Sequence, residues 1–145
     1  MIKAVLDANV IISALLNPKG SPAFILEYLR LDHFKLVVSK EILHEIERVL
    51  KYPKLVKSHR LSTNQIRKLL DFIEIISISV DLSRHKREKV VLRDLSDIIY
   101  LRTAELGEVD YLVSGDQDLL SLEKYSFIPV ILPRHFLDIL DKPLS

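Results

Sequence analysis

The chain has 145 residues (16.7 kDa), enough for one domain and too few for two ordinary ones, so a single unit over residues 1–145 is expected. With 48% apolar and 28% charged residues it is not a disordered chain, and 21 Lys+Arg against 20 Asp+Glu, a formal charge of +1, exclude a polycation that coats nucleic acid by bulk charge. The absence of Cys excludes a disulfide scaffold, a thiolate metal site and a Cys nucleophile, and fits a reducing cytosol. The longest uncharged stretch, the eleven residues from Ala8 to Pro18, falls short of the ~20 that a membrane span needs. Asp7 interrupts the N-terminal apolar run, so no signal peptide is expected, and the composition reads as a soluble cytoplasmic protein without a membrane role.

Along the chain, short apolar runs alternate with longer amphipathic stretches. Ile2 to Leu6 reads as a first strand, followed at Asp7-Ala8-Asn9 by an apolar helix. Ser21-Pro22 offers an N-cap and a Pro at the first helical position, ahead of Phe24, Ile25, Tyr28 and Leu29 at helical spacing. Lys35 to Val38 is a second strand; Ser39 caps a helix to about Leu50, stopped by Tyr52-Pro53. Ser62 and Gln65 form a capping box before Ile66, Leu69, Leu70 and Ile73. Ile75 to Val80 is a third strand, Ser96 starts a helix that Gly107 ends as its C′ residue, and Tyr111 to Ser114 and Ile128 to Leu132 are two more strands. Continuous rather than alternating apolar strands suit a sheet covered on both faces, and strand–helix alternation predicts a three-layer α/β/α domain with a mainly parallel sheet of about five strands. Strand order is left open.

Open α/β sheets bind ligands at the carboxyl ends of their strands. Four segments deliver acids there: Asp7 after the first strand, Glu45 in the second turn of the helix begun at Ser39, Asp94 and Asp97 at the helix near Ser96, and Asp116 and Asp118 after the fourth strand. Singly, Asp7, Asp97 and Asp116 are ordinary caps or turn residues, and Asp94 and Asp118 ordinary surface residues. Glu45 borders an apolar face, where a carboxylate needs either an ion pair, with Arg48 for instance, or a cation. Taken together the acids point further. Packed carboxylates repel unless protonated or bridged by a divalent cation, and an all-oxygen donor set without Cys or clustered His favours Mg2+ or Mn2+. Such a cation binds phosphate oxygens and acidifies an attacking water, which suits phosphodiester hydrolysis.

These residues resemble a family. Leu6-Asp7-Ala8-Asn9-Val10, the Glu41 to Leu50 helix with Glu45, Asp94-Leu95-Ser96-Asp97, and Val113-Ser114-Gly115-Asp116-Gln117-Asp118-Leu119-Leu120 are similar to the motifs of PIN-domain ribonucleases, in particular the prokaryotic VapC-type toxins of toxin–antitoxin systems. Tyr52-Pro53-Lys54-Leu55 and Pro133-Arg134-His135-Phe136-Leu137 look like that group too. The resemblance spans essentially the whole chain. It implies a Mg2+- or Mn2+-dependent endoribonuclease with Asp7, Glu45, Asp97 and Asp116 as catalytic metal ligands. Asn9 and Ser114 would support the first and last of these, with Asp94 or Asp118 assisting. It implies in-line attack of water on phosphorus, products with 5′-phosphate and 3′-hydroxyl ends, RNA rather than DNA as substrate, an antitoxin partner and homodimerisation. Where the group usually has Pro after the first acid of the third motif, this chain has Leu95, implying an altered loop with Asp97 retained.

Two basic clusters offer paths for a phosphate backbone. One is Lys51, Lys54, Lys57, His59 and Arg60 with Arg67 and Lys68; the other, Arg84, His85, Lys86, Arg87, Lys89 and Arg93, leads into the third acidic motif. Each is equally a solvated face. Tyr52 or Tyr100 could stack on a base, or simply pack. His44, beside Glu45 but about 100° round the helix, reads as a structural or surface residue. The apolar helices near Ala8 to Leu16 and Phe24 to Leu31 are core, and any exposed part suits a second copy or an antitoxin helix. Rival readings are a catalytically inactive PIN-like RNA-binding module, a haloacid-dehalogenase-like phosphatase and a receiver domain. The phosphatase wants Asp two positions after the first and finds Asn9; the receiver wants a paired acidic cluster before its first strand, where only Met1 to Lys3 lie nearby.

Overall fold

The computed structural model describes residues 1–84 and 95–142. The elements run β1 (Lys3–Leu6), α1 (Ala8–Leu16), α2 (Ser21–Arg30), β2 (Lys35–Ser39), α3 (Lys40–Leu50), α4 (Pro53–His59), α5 (Thr63–Ile76) and β3 (Ile78–Val80). After a 3-10 turn (Leu82–Arg84) come α6 (Leu95–Leu106), β4 (Tyr111–Val113), α7 (Gln117–Leu120), β5 (Lys124–Tyr125), β6 (Ile128–Ile131) and α8 (Pro133–Asp141).

Six strands form one sheet in the order β3-β2-β1-β4-β6-β5, between layers of helices. All neighbours are parallel except β5, which runs antiparallel to β6. The sixth strand exceeds the expected five because β5 is two residues long, too short to leave a hydrophobic period in the sequence. It returns on β6 through Ser126 and Phe127, both in the left-handed region, as a two-residue hairpin turn demands. The chain builds β1, β2 and β3 outward on one side and then resumes at β4 on the other side of β1. The carboxyl ends of β1 and β4 therefore flank the topological switch point.

Local signals set most boundaries. The Ser39 side chain accepts the Ile42 N–H at the start of α3, and Ser62 and Gln65 close a reciprocal capping box on α5. Three expectations shift. Gly20, not Ser21, is the N-cap of α2, with Pro22 in its first turn, so the Ser side chain makes no cap bond there. Ile75 and Ile76 complete α5 rather than open β3, and Ile75 is exposed. α6 begins at Leu95, one residue before Ser96, and at its other end the left-handed residue is Glu108, not Gly107. Gly107 has a different reason to be glycine: a Cβ there would lie 2.6 Å from Val37 Cγ1. The end of α6 thus lies almost on β2, a close approach that a side chain would block.

The core is continuous across the sheet. Ala4, Val5, Leu6, Leu36, Val37, Val38, Leu112 and Val113 are buried, and Phe34 meets Phe136 edge to face at 5.1 Å. α6 lies against β1, β2 and β4; α1 packs on α2 and α3, α2 on α8, and α3 on α5. Among the described residues no helix is long and apolar enough to cross a membrane. Gly107→Ala should destabilise the fold by about 1–3 kcal/mol through overpacking against Val37. Urea unfolding will show this as a lower midpoint with an unchanged slope.

Candidate active site

Asp7 follows β1 directly, caps α1 and is buried, 3% exposed. Its N–H continues the sheet ladder to Val113 O at 3.0 Å, which sets it beside Ser114. The carboxylate is bound on both oxygens: Asn9 N–H donates to Oδ1 at 2.6 Å and the Ser114 hydroxyl to Oδ2 at 2.6 Å. Asn9 therefore supports Asp7 through its backbone, its side chain being exposed. Ser114 Oγ in turn accepts the Asp116 N–H at 2.9 Å, so one buried hydroxyl ties the acids of two strand ends together. Burial pushes the Asp7 carboxyl above its ordinary 3.8, the nearby Asp116 charge adds to the rise, and the bonds from Ser114, Asn9 and Val10 oppose it.

Asp116 caps the short helix α7, its Oδ1 accepting the Asp118 N–H at 2.8 Å. Asp97 stands in the first turn of α6, 5% exposed. Asp97, Asp116 and Asp118 each offer a carboxylate oxygen within 4.8 Å of the others. Asp118, expected only to assist, is inside this tight group, while Asp7 and Glu45 stand outside it. The donor set is entirely oxygen and three carboxylates converge, which suits a hard divalent cation.

Glu45 reaches the site from α3. Arg48 pairs with it, Nη2 to Oε1 at 2.6 Å and Nε to Oε2 at 3.1 Å. Arg48 also bonds the Tyr52 hydroxyl and sits 5.4 Å over that ring. With Lys40, Glu41, His44 and Ile99, Glu45 lines an open cavity of about 500 Å3. His44 is exposed, as a surface residue of α3. The start of α3 is pinned to α6 by Thr103 Oγ1, 2.9 Å from Ser39 Oγ and 2.6 Å from Ile99 O. A larger concavity, about 1010 Å3, is lined by Ile2, Tyr28, Tyr111 and Leu140 at the opposite ends of β1 and β4, away from the acids.

Of the two readings of Tyr100, stacking on a base or simply packing, the structure supports packing. Tyr100 is buried, 5% exposed, and its face is not available for stacking. Its hydroxyl accepts the Ala8 N–H at 3.2 Å. Burial, then the charges of Asp7, Glu45 and Asp97, hold the phenol above its ordinary 10.0. The three acids thus act on one oxygen. The spacing of Tyr100 three residues after Asp97 was the signal for this, since i and i+3 share a helix face. Lys86, Arg87, Lys89 and Arg93 of the second basic cluster, and Asp94, lie outside the described residues, and Arg84 is described only as the end of the 3-10 turn.

A family model described as "PIN domain" matches residues 3–118. The chain is 32% identical over 152 residues to the uncharacterized protein MJ1680 of Methanocaldococcus jannaschii, covering 99% of this chain and 95% of that protein. It is also similar to a chain in the crystal structure of VapBC2 from Rickettsia felis bound to a DNA fragment from their promoter. That likeness has a TM-score of 0.60 at 14% identity and covers 90% of this chain and 98% of that one, so it concerns the fold.

The raised Asp7 pKa has a consequence for stability. Between 3.8 and the folded value the native state holds a proton that the unfolded chain has lost, so stability falls as pH rises through that window. The cost is fully present above the folded value and vanishes below 3.8. Metal-free Asp7→Asn should therefore be more stable than wild type at neutral pH, with the gain disappearing on acidification. Urea unfolding across the acid range will show whether the two curves converge.

Proposed function

The chain belongs to the PIN-domain family, and on that footing we propose that it is a Mg2+- or Mn2+-dependent endoribonuclease, one PIN domain over residues 1–145. The observation that carries this reading is the convergence of Asp97, Asp116 and Asp118 at a switch point beside buried Asp7, with the half-buried Glu45 on α3. Asp97, Asp116 and Asp118, with Asp7 and Glu45 alongside, hold the cation. When bound, it neutralises charge on the phosphate and makes an attacking water more acidic. The chain's own groups do the rest. Ser114 fixes Asp7 and Asp116 in mutual register, Thr103 joins α6 to the N-cap of α3, the helix that carries Glu45, and one carboxylate orients the water or takes its proton. Hydrolysis with in-line attack leaves 5′-phosphate and 3′-hydroxyl ends.

We assign the protein to the cytoplasm and to the toxin side of a toxin–antitoxin pair. A solved structure of similar fold is that of a VapBC2 complex. Leu16 on α1 and Phe24 on α2, with Leu31 just beyond it, are 39–50% exposed and suit an antitoxin helix or the second subunit of a homodimer.

Purified protein should cleave RNA only with Mg2+ or Mn2+ present, and Asp116→Asn and Asp97→Asn should each abolish turnover while keeping the far-ultraviolet spectrum of the wild type. RNA binding by wild type without cation-dependent turnover would instead support an inactive RNA-binding module. Mn2+ at a hundred times its Kd should stabilise wild type by about 2.7 kcal/mol, and Asp116→Asn much less. Calorimetric melting temperatures with and without Mn2+ measure the difference; equal shifts would remove these acids from the ligand set.

A further inference from the structure

Glu45, Arg48 and Tyr52 are spaced i, i+3 and i+7 down one side of α3 and just past its end, and their side chains are bonded in series. The Arg48 guanidinium gives Nη2 and Nε to the two oxygens of Glu45, the fork geometry that suits a carboxylate. Its Nη1 donates to the Tyr52 hydroxyl, and the group lies 5.4 Å over the Tyr52 ring. Tyr52 is fixed in turn by the backbone. Its N–H donates to Val49 O at 3.1 Å, and its carbonyl accepts the Leu55 and Val56 N–H groups at 2.9 Å, as N-cap of α4 ahead of Pro53.

α2 carries a pair of the same spacing, Glu27 and Arg30, without these features. Arg30 also forks onto its glutamate, but both side chains are more than half exposed, and among the described residues Arg30 has no third partner. A solvated pair of that kind contributes little. The Glu45 side chain is only 21% exposed and lines a cavity with Ile99, two residues beyond Asp97 on α6. We propose that Arg48 is a positioning residue: anchored at its far side by Tyr52, it clamps the Glu45 carboxylate in one orientation, ready for a divalent cation. The clamp does not use the acid up. An ionised carboxylate has about four lone-pair sites, and the fork takes one on each oxygen. A glutamate already held also loses less side-chain freedom on binding a ligand. The inference rests on the proposed function, because Glu45 serves the reaction as a cation-binding acid.

Mn2+ affinity, measured by electron paramagnetic resonance without RNA, reads the clamp. Arg48→Lys keeps the charge and loses the fork, and it should weaken binding ~10–100-fold, the usual effect of losing an outer partner. Tyr52→Phe keeps the ring, changes no charge and removes no bond to Glu45; it should weaken binding ~2–10-fold, the effect of one hydrogen bond. Arg30→Lys on α2 should leave the affinity unchanged. In a Glu45→Gln background neither Arg48→Lys nor Tyr52→Phe should weaken binding further, because both act through that carboxylate. Unchanged affinity in Arg48→Lys overturns the proposal, since Arg48 then only balances charge, and tighter binding overturns it too, since Arg48 then competes with the cation. Losses that persist in Glu45→Gln reflect general damage to α3 and equally overturn it. In metal-free wild type, the Arg48 Nε–H should give a sharp NMR signal at neutral pH that broadens in Tyr52→Phe. Should wild type take up no Mn2+, the cation-dependent reading of the site fails, and this signal alone decides: sharp in wild type and broadened in Tyr52→Phe, it supports the clamp on Glu45; any other pattern ends it.

Discussion

A carboxylate removed from water must be solvated by the protein, and in this fold that requirement falls on Asp7. Nearly all of its surface is buried. A bare ion there would be costly, so the structure surrounds it with donors: the Ser114 hydroxyl on one oxygen, the Asn9 N–H on the other, and the first turn of α1 behind. Each donor depends on a long-range feature. Ser114 is available because β4 pairs with β1 in parallel register, Leu6 opposite Val113. The helix N-terminus is available because the chain turns immediately after the strand. Asp7 and its surroundings thus require the β1–β4 pairing, and the pairing brings Asp116 with it.

The same arrangement sets the balance between stability and function. The fold assembles like charges that repel, and the burial of Asp7 works against folding at neutral pH. Apolar burial on both sheet faces has to offset that, and the contacts that fix the acids are placed in the core for this reason. Gly107 lets the end of α6 lie on β2, and Thr103 joins α6 to the N-cap of α3. Two helices distant in sequence, α6 with Asp97 and α3 with Glu45, are thereby held to each other.

Ser39 and Ser62 were legible as caps because a cap is a local event: a side-chain oxygen meets an N–H two or three residues on. Glu45 was legible only as an alternative between ion pair and cation ligand, and in the structure it carries the Arg48 pair. Asp118 looked like a surface residue and is one, yet its oxygen is among the converging three, because the tight turn of α7 folds it back on Asp116. The two-residue β5, the role of Gly107 and the support from the Asn9 backbone had no sequence signature, each being defined by what lies across from it.

The order of residue types along this chain determined the alternation of strands and helices, their main caps, the kind of donor atoms available and the strand ends where acids would appear. All of these depend on neighbours within a few positions or on simple periodicity. Only the tertiary structure decided which acids converge, that one serine bridges two of them, and that Tyr100, open between stacking and packing, is buried. Those outcomes depend on strand order and on the crossing from β3 back to β4. They are set by how separate segments pack, which no local pattern encodes.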